Sequence, residues 1–142
     1  MKKIAVVYWS GTGNTEAMAK SVAQGAKKAG AEASLFTAAK FSAGMAADFD
    51  AFAFGCPSMG SEQLEEGEFE PMFSSVEGRL AGKPVALFGS YGWGDGQWMR
   101  DWQARCEEGG MAVVGGEGLA VNEAPDAPAL ATCEALGGAL AG

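Results

Sequence analysis

Residues 4–15 read IAVVYWSGTGNT, the segment of the chain that is most informative about its fold class. Residues 4–8 form a continuous apolar run of the kind that a strand buried on both faces requires. A loop of three hydroxyl residues, one amide and two glycines follows at residues 10–15. Apolar residues then recur at helical spacing from Met18 towards Gly30, where we expect a helix to end. The apolar positions of that helix are Met18, Val22, Ala26 and Ala29. The stretch predicts a strand, a loop and a helix in succession.

The rest of the chain continues the alternation of strands and helices. Further strands are predicted at residues 33–36, 50–55, 84–90 and 111–114, and residues 119–121 could continue the last of them. Helices are predicted through Trp98, Trp102 and Cys106 and over residues 125–140, while residues 40–48 indicate a loop with one helical turn. This alternation is typical of an α/β fold, a doubly wound parallel sheet with helices on both faces. We expect one domain over residues 1–142.

The composition narrows the classes of function. The chain has 142 residues, a formal net charge of −8 and no histidine. The acidic balance argues against nucleic acid and anionic membrane as partners, and it suits a carrier that docks on basic surfaces. Because histidine is the commonest general base near neutral pH, its absence disfavours hydrolases and other acid–base enzymes.

The cysteines and the apolar segments indicate the cellular compartment of the protein. Cys56, Cys106 and Cys133 form no CxxC pair and have no zinc-ligand spacing, so we expect buried or partly buried free thiols in a reducing cytosol. The apolar run that follows Lys3 is too short for a signal peptide. No segment approaches the ~20 apolar residues of a membrane span. These features predict a cytoplasmic protein.

The loop at residues 10–15 has the chemistry of a phosphate site. Its glycines let backbone N–H groups point inwards, and the following helix presents its positive end. It is neither a P-loop, because no Gly-Lys-Ser/Thr follows, nor the dinucleotide GxGxxG pattern. Residues 35–37 offer no acid for a ribose hydroxyl, which weighs against NAD. The alternative is a plain strand-to-helix turn with a hydroxyl N-cap.

Two more glycine-rich loops follow predicted strands. Residues 56–62 read CPSMGSE and residues 90–96 read SYGWGDG. Parallel strands end at one edge of a sheet, where ligands bind at the switch point of the strand order. Trp93 stands between two glycines with few local side chains to pack against, and Met59, between Ser58 and Gly60, is similarly predicted to be presented rather than buried. Singly, each is more often a core residue, but together with a phosphate loop they indicate a flat ring held between them.

The chain resembles the flavodoxin family in its short-chain branch. The resemblance rests on residues 8–16 (YWSGTGNTE), 55–66, 88–98 and 121–123 (VNE), which follow in register over nearly the whole length. It implies a five-stranded parallel sheet in the order 2-1-3-4-5. It also implies non-covalent FMN as cofactor, and redox partner proteins rather than a substrate.

The resemblance assigns residues to parts of FMN. The phosphate would be bound by Ser10, Thr12, Asn14 and Thr15 with the backbone of Gly11 and Gly13. The isoalloxazine would lie between Met59 and Trp93, with the Gly60–Ser61 peptide at N5, Glu62 at the N3/O4 edge and the Gly92 backbone at O2. Ser90 and Asn122 would lie near the ribityl chain or pyrimidine. The full predicted set is Ser10, Gly11, Thr12, Gly13, Asn14, Thr15, Ser58, Met59, Gly60, Ser61, Glu62, Ser90, Tyr91, Gly92, Trp93, Gly94 and Asn122. The chain departs from family patterns in having Pro57 in place of a serine that some relatives use and Ser61 where an acid is frequent.

The implied function is low-potential, one-electron transfer through a neutral semiquinone and an anionic hydroquinone. A flip of the peptide after Gly60 would place a carbonyl against the N5 proton, since glycine reaches positive φ at low cost. Acidic residues would surround the reduced ring and steer docking onto basic partners, or else form only a solvated face. They are Glu62, Glu65, Glu66, Asp95 and Glu123. A monomer fits a carrier that exposes its ring edge.

Two rival functions share the fold. An FMN-dependent NAD(P)H or quinone reductase would need a second substrate pocket, for which the sequence offers no additional basic loop. A response-regulator receiver would need acids at the ends of strands one and three, where the chain reads YWS and FGC. Magnesium and phosphoryl chemistry therefore have no ligands there.

Overall fold

The computed structural model describes residues 2–142, which form one sheet between two helical layers. The strands are β1 (Lys3–Tyr8), β2 (Glu32–Thr37), β3 (Ala51–Gly55), β4 (Pro84–Tyr91), β5 (Ala112–Val113) and β6 (Leu119–Asn122). The helices are α1 (Asn14–Lys28), α2 (Phe69–Val76), α3 (Gln97–Glu108) and α4 (Ala127–Ala141). Short 3₁₀ turns occupy Ala38–Lys40, Ala43–Asp48 and Glu77–Arg79.

All the strand pairs are parallel, in the order β2-β1-β3-β4-β5, which confirms the predicted fold class and strand order. The fifth position of the sheet is split between two strands. β5 pairs with the start of β4 and β6 with its end. Gly115 and Gly116, which lie between β5 and β6, both have positive φ and interrupt the strand there. The amide of Gln103 pins this break, donating to the Gly116 carbonyl at 2.7 Å and accepting the Gly118 N–H at 3.1 Å.

The two faces of the sheet carry separate cores. On one face, the aromatic side chains of β3 pack against α2 and α3, with Phe54 and Phe73 in edge contact at 5.1 Å. On the other, α1 and α4 cover the β1 residues Ile4 and Val6. The central strands are buried on both faces, as their continuous apolar runs predicted.

Helices α1 and α4 pack closely because each has a glycine where it contacts the backbone of the other. A Cβ on Gly137 would lie 1.9 Å from the Val22 carbonyl oxygen, and one on Gly25 would lie 1.8 Å from the Glu134 carbonyl oxygen. Neither site has room for a side chain. The prediction that Ala29 lies on the apolar face of α1 was wrong, since it is exposed at the C-terminal cap.

The three cysteines are buried free thiols, as predicted. Burial raises the pKa of Cys56 and Cys106 to about 12 and that of Cys133 to about 11. All three thiols therefore stay protonated and unreactive at neutral pH. Over residues 2–142, no helix has both the length and the apolar character that crossing a membrane demands.

Candidate functional site

A cavity of about 680 Å³ opens where β1, β3, β4 and β6 end. It is lined by Trp9, Gly11, Thr12, Asn14, Pro57, Ser58, Met59, Ser90, Tyr91, Gly92, Glu123 and Ala124. All three loops that the sequence singled out thus contribute to one cavity. Its volume falls in the range of about 300–1,000 Å³ that is typical of small-molecule and cofactor sites.

The first loop leads directly into the N-terminus of α1. Gly13 is the N-cap, with φ of 95°. The Ser10 hydroxyl accepts the N–H groups of Gly13 at 3.0 Å and Glu16 at 3.3 Å, which fixes the loop around the helix start. The N–H groups of Gly11 and Thr12 donate to no other residue in the described part of the chain.

Residues 10–15 contain no ionisable side chain. An anion bound here would be held by hydroxyls, backbone N–H groups and the positive end of a fifteen-residue helix. Thr12 and Asn14 line the cavity, whereas Ser10 and Thr15 do not.

Thr15 connects the first loop to the third from beneath. It is 1% exposed, and its hydroxyl oxygen lies 3.4 Å from the Ser90 hydroxyl and 3.4 Å from the Ser90 N–H that it accepts. Ser90 itself lines the cavity. Thr15 therefore holds Ser90 in place from outside the lining.

Ser58 has a hydroxyl with no partner. Its backbone N–H donates to the Ser90 carbonyl at 3.1 Å, but its buried Oγ makes no hydrogen bond to any described residue. A buried hydroxyl without a partner costs free energy, so it marks a position where a ligand atom would be stabilising. Because Ser58 lines the cavity, the residues present fit a ligand with hydrogen-bonding groups along its length.

The second loop turns tightly after Met59. Met59 and Gln63 exchange two backbone hydrogen bonds, at 2.8 and 2.9 Å, and the turn between them places Gly60 and Glu62 at φ of 53° and 54°. Met59 is half-buried and lines the cavity, while Gly60 and Ser61 are exposed outside the lining. The turn thus presents a thioether to the cavity and leaves its peptide groups free of side-chain cover.

The third loop carries Trp93 in the open. Its side chain is 56% exposed, and neither Trp93 nor the adjacent Gly94 lines the cavity. Tyr91, at the start of the loop, packs on the buried Trp98 with the ring centres 5.4 Å apart. A single exposed indole is common on protein surfaces, but Trp93 directly follows Gly92 in the cavity lining and is therefore available to stack on a bound ring.

Glu62 joins the second loop to the third. Its carboxylate accepts the N–H of Gln97 at 3.0 Å and so caps α3. A Cβ on Gly94 would lie 2.6 Å from the same carboxyl group, and the φ of 85° at Gly94 independently favours glycine there. Glu62 does not line the cavity, and its predicted contact with the cofactor edge stays a prediction.

The segment after β6 closes the remaining side. Asn122 is exposed and donates from Nδ2 to the Tyr91 carbonyl at 3.3 Å, outside the lining. Glu123 adopts φ of 57°, rare for a residue with a side chain, and its N–H donates to the same carbonyl at 2.7 Å. Backbone strain of this kind clusters at binding sites.

Four lining residues were not in the predicted contact set: Trp9, Pro57, Glu123 and Ala124. Of these, Pro57 was predicted only as a departure from the family pattern, and Glu123 only as one of the acidic residues around the reduced ring. Trp9 could have been found, because it directly follows β1 at the edge where ligands bind. Its indole N–H donates to Glu68 at 3.0 Å, which orients the ring at the cavity.

Acidic residues near the site have different partners. Glu65 caps α2: burial opposes its ionisation, but the N–H groups of Phe69, Glu68 and Gly67 prevail and hold its pKa below the usual value. Asp95 forms an ion pair with Arg100 at 3.1 Å. Glu123 has no ion-pair partner within residues 2–142.

Comparisons with known proteins give a consistent result. The family model described as flavodoxin matches residues 6–137. Flavodoxin from Megasphaera elsdenii is 46% identical over 139 residues, which are 97% of this chain and 98% of that protein. Flavodoxin from Clostridium beijerinckii is 43% identical over 122 residues, 86% of this chain and 88% of that protein.

Solved structures agree with the sequence relatives. The solution structure of two-electron reduced Megasphaera elsdenii flavodoxin matches with a TM-score of 0.86 at 45% identity, covering 97% of this chain and 98% of that one. A flavodoxin from the domain Archaea also matches with a TM-score of 0.86, at 26% identity, covering 98% and 96% of the two chains.

Proposed function

Because the chain belongs to the flavodoxin family, we propose that it carries single electrons at low potential between redox enzymes. Membership of that family makes it an FMN-binding electron-transfer protein rather than an enzyme. The finer proposal is that the protein stabilises a neutral semiquinone and an anionic hydroquinone. The main support for FMN binding at this site is that three loops with complementary chemistry border a single cavity.

The cavity divides into a polar end and an aromatic end. At the polar end, the residue 10–15 loop and the α1 terminus offer neutral donors that suit a phosphate. At the other end, Met59 and the exposed Trp93 would cover the two faces of the ring system. Ser58 and Ser90, both in the lining, would form hydrogen bonds with the ribityl chain that joins the phosphate to the ring system.

Gly60 would supply the change that favours one-electron reduction. Its peptide would turn its carbonyl towards the proton that N5 of the bound cofactor gains. A Cβ at Gly60 would meet Gln63 no closer than 3.6 Å, so an alanine fits sterically and only the positive φ opposes it. Gly60→Ala should therefore strain the turn by about 1 kcal/mol in every state that keeps this positive φ, which includes the FMN-free protein, without a steric clash.

Acidic side chains at the rim would lower the potential of the second electron. A carboxylate at ~10 Å from a developing negative charge opposes it by roughly 0.4 to 1.7 kcal/mol, depending on the effective dielectric constant. That range corresponds to roughly 20 to 70 mV for one electron. Glu123 supports this role most directly, because it lines the cavity without an ion-pair partner among residues 2–142.

The same charge would select the partner. A net charge of −8 favours redox proteins with basic docking surfaces and would make electron transfer slower at high salt. We propose a monomeric, cytoplasmic protein that folds as one domain over residues 1–142. Three buried free thiols support a reducing compartment.

An absorption spectrum recorded during slow dithionite reduction tests the proposal. The purified protein, loaded with FMN, should pass through a species with a broad long-wavelength band before it bleaches. Gly60→Ala should show less of that species at the midpoint, whereas Gly44→Ala, in an open position of a distant turn, should match the wild type. A protein that fails to bind added FMN, or that bleaches in one two-electron step, would contradict it.

A further inference from the structure

We propose that Arg100 is a positioning residue that fixes the loop of residues 91–96 and thereby holds Trp93 at the cavity. The part concerning Trp93 rests on the proposed function, since it concerns how the cofactor is retained. The part concerning the loop stands on the geometry alone.

Arg100 binds the end of the loop through three acceptors. Its Nη1 donates to the Asp95 carbonyl at 3.0 Å, and its Nη2 donates to the Asp95 carboxylate at 3.1 Å and to the Gln97 side-chain oxygen at 3.0 Å. One planar guanidinium thus holds a backbone group, a charge and an amide together. Lysine could not reproduce that fork.

The neighbouring residues turn towards the guanidinium. Gly96 has φ of 90°, a backbone conformation that favours glycine, and it lies in ordinary contact range of Nη1 of Arg100. Gln97 offers its oxygen to Arg100 and donates from Nε2 to Asp101 at 2.8 Å, so its amide is fixed at both ends. Arg100, Asp95 and Gln97 therefore form a clamp at the first turn of α3.

The loop has few other restraints between its ends. Tyr91 anchors the start by packing on Trp98, and the clamp anchors the end. Between them stand Gly92, Trp93 and Gly94, with Gly94 at φ of 85° and Trp93 mostly exposed. Beyond Arg100, the far end of the loop is held by the Gly96 carbonyl, which accepts two N–H groups of α3, and by Glu62, which accepts the Gln97 N–H. Without the clamp, Gly94 and Asp95 would lose their nearest side-chain anchor, and the adjacent indole would be less firmly placed.

The test separates the loop from the cofactor. Backbone ¹⁵N order parameters of the FMN-free protein report the loop, and FMN dissociation on dilution, followed by flavin fluorescence, reports retention. In Arg100→Ala, the order parameter of Asp95 should fall from about 0.85 to below about 0.6. That of Gly96 should fall less, because its carbonyl still accepts the N–H groups of residues 99 and 100. FMN should dissociate about two- to fivefold faster, the range expected for an exposed ion pair.

Two variants control the experiment. Arg100→Lys keeps the charge but loses the fork, so it should restore only part of the order. Arg79→Ala removes the same charge from an exposed 3₁₀ turn with no ion pair among the described residues, so it should match the wild type. If Asp95 stays ordered in Arg100→Ala, or if it loosens while FMN dissociates at the wild-type rate, the proposal is wrong. A wild-type protein that takes up no FMN overturns the proposed function, while the order parameters still decide whether Arg100 fixes the loop.

Discussion

Replacing Ser58 with alanine should have opposite effects on the empty and the loaded protein. The Ser58 hydroxyl is buried, lines the cavity and makes no hydrogen bond to any described residue. A buried polar group left unsatisfied costs about 1–3 kcal/mol. Ser58→Ala removes that cost from the FMN-free protein, so its free energy of unfolding should not fall.

Binding should respond in the other direction. If FMN supplies the missing partner, the Ser58 hydroxyl gains a hydrogen bond on binding in the wild type, whereas Ser58→Ala gains none. Binding to the variant should then be weaker by the same 1–3 kcal/mol, so that its dissociation constant rises about 5- to 150-fold. A truncation that merely loosened the fold would weaken binding and stability together.

Two titrations measure these quantities. Urea unfolding of the FMN-free protein gives the stability, and quenching of FMN fluorescence gives the dissociation constant. Ser75→Ala is the matched control, because Ser75 donates to the Met72 carbonyl at 2.7 Å and does not line the cavity. An FMN affinity in Ser58→Ala within twofold of the wild type, or a fall in stability beyond 1 kcal/mol, would refute the reasoning.

Three further changes test other parts of the molecule. Trp93→Ala should weaken FMN binding by about 0.5–1.5 kcal/mol and raise the potential of the second reduction, as measured by fluorescence titration and potentiometry. Hydrogen bonds from Arg105 lower the pKa of Glu70, so this pair stabilises the fold above the ordinary pKa of 4.5 and loses that contribution as pH falls below it. Glu70→Gln should therefore be less stable at pH 7 but lose less stability on acidification, as followed by urea unfolding at each pH. Gly137→Ala should cost about 1–3 kcal/mol in urea unfolding, because its Cβ would lie 1.9 Å from an α1 carbonyl oxygen, whereas Gly138→Ala, at 3.9 Å, should not destabilise.

The sheet was predictable because its central strands are buried on both faces. Because β1, β3 and β4 have no solvent-exposed face, their sequences are continuous apolar runs that are easily recognised as strands, and glycine-rich loops follow their ends. The broken fifth position was harder to predict. Residues 111–114 and 119–121 were recognised as related segments, but only pairing with β4 shows that they occupy one position in the sheet.

Helix α2 was missed for a local reason. It has only eight residues, with Pro71 in its first turn and acidic residues before it, and these features suggest a loop. The signal was present, since Phe69, Met72, Phe73 and Val76 have helical spacing and are all buried. Proline is compatible with a first turn because that N–H has no partner within the helix.

The loops of the site were predictable, but the direction of each side chain was not. The positions of the loops follow from strand order alone, which is a local property of the sequence. The pairing of Thr15 with Ser90 joins residues 75 positions apart, and the contact of Glu62 with α3 spans 35. Contacts of this range depend on how the loops close over each other in three dimensions, so spacing along the chain cannot indicate them.

The five acidic residues predicted around the reduced ring show why the direction of each side chain matters for function. From the sequence, five acids counted equally as charges near the cofactor. In the structure, Glu65 caps α2, Glu62 caps α3 and Asp95 is held by Arg100, so each of these also maintains a loop. Neutralising any of them would change geometry and charge together, and a shift in potential could not be assigned to either cause. Glu123, which lines the cavity without an ion-pair partner among residues 2–142, is the acid whose charge can be removed with the least change in side-chain contacts, so the electrostatic argument should be tested there first.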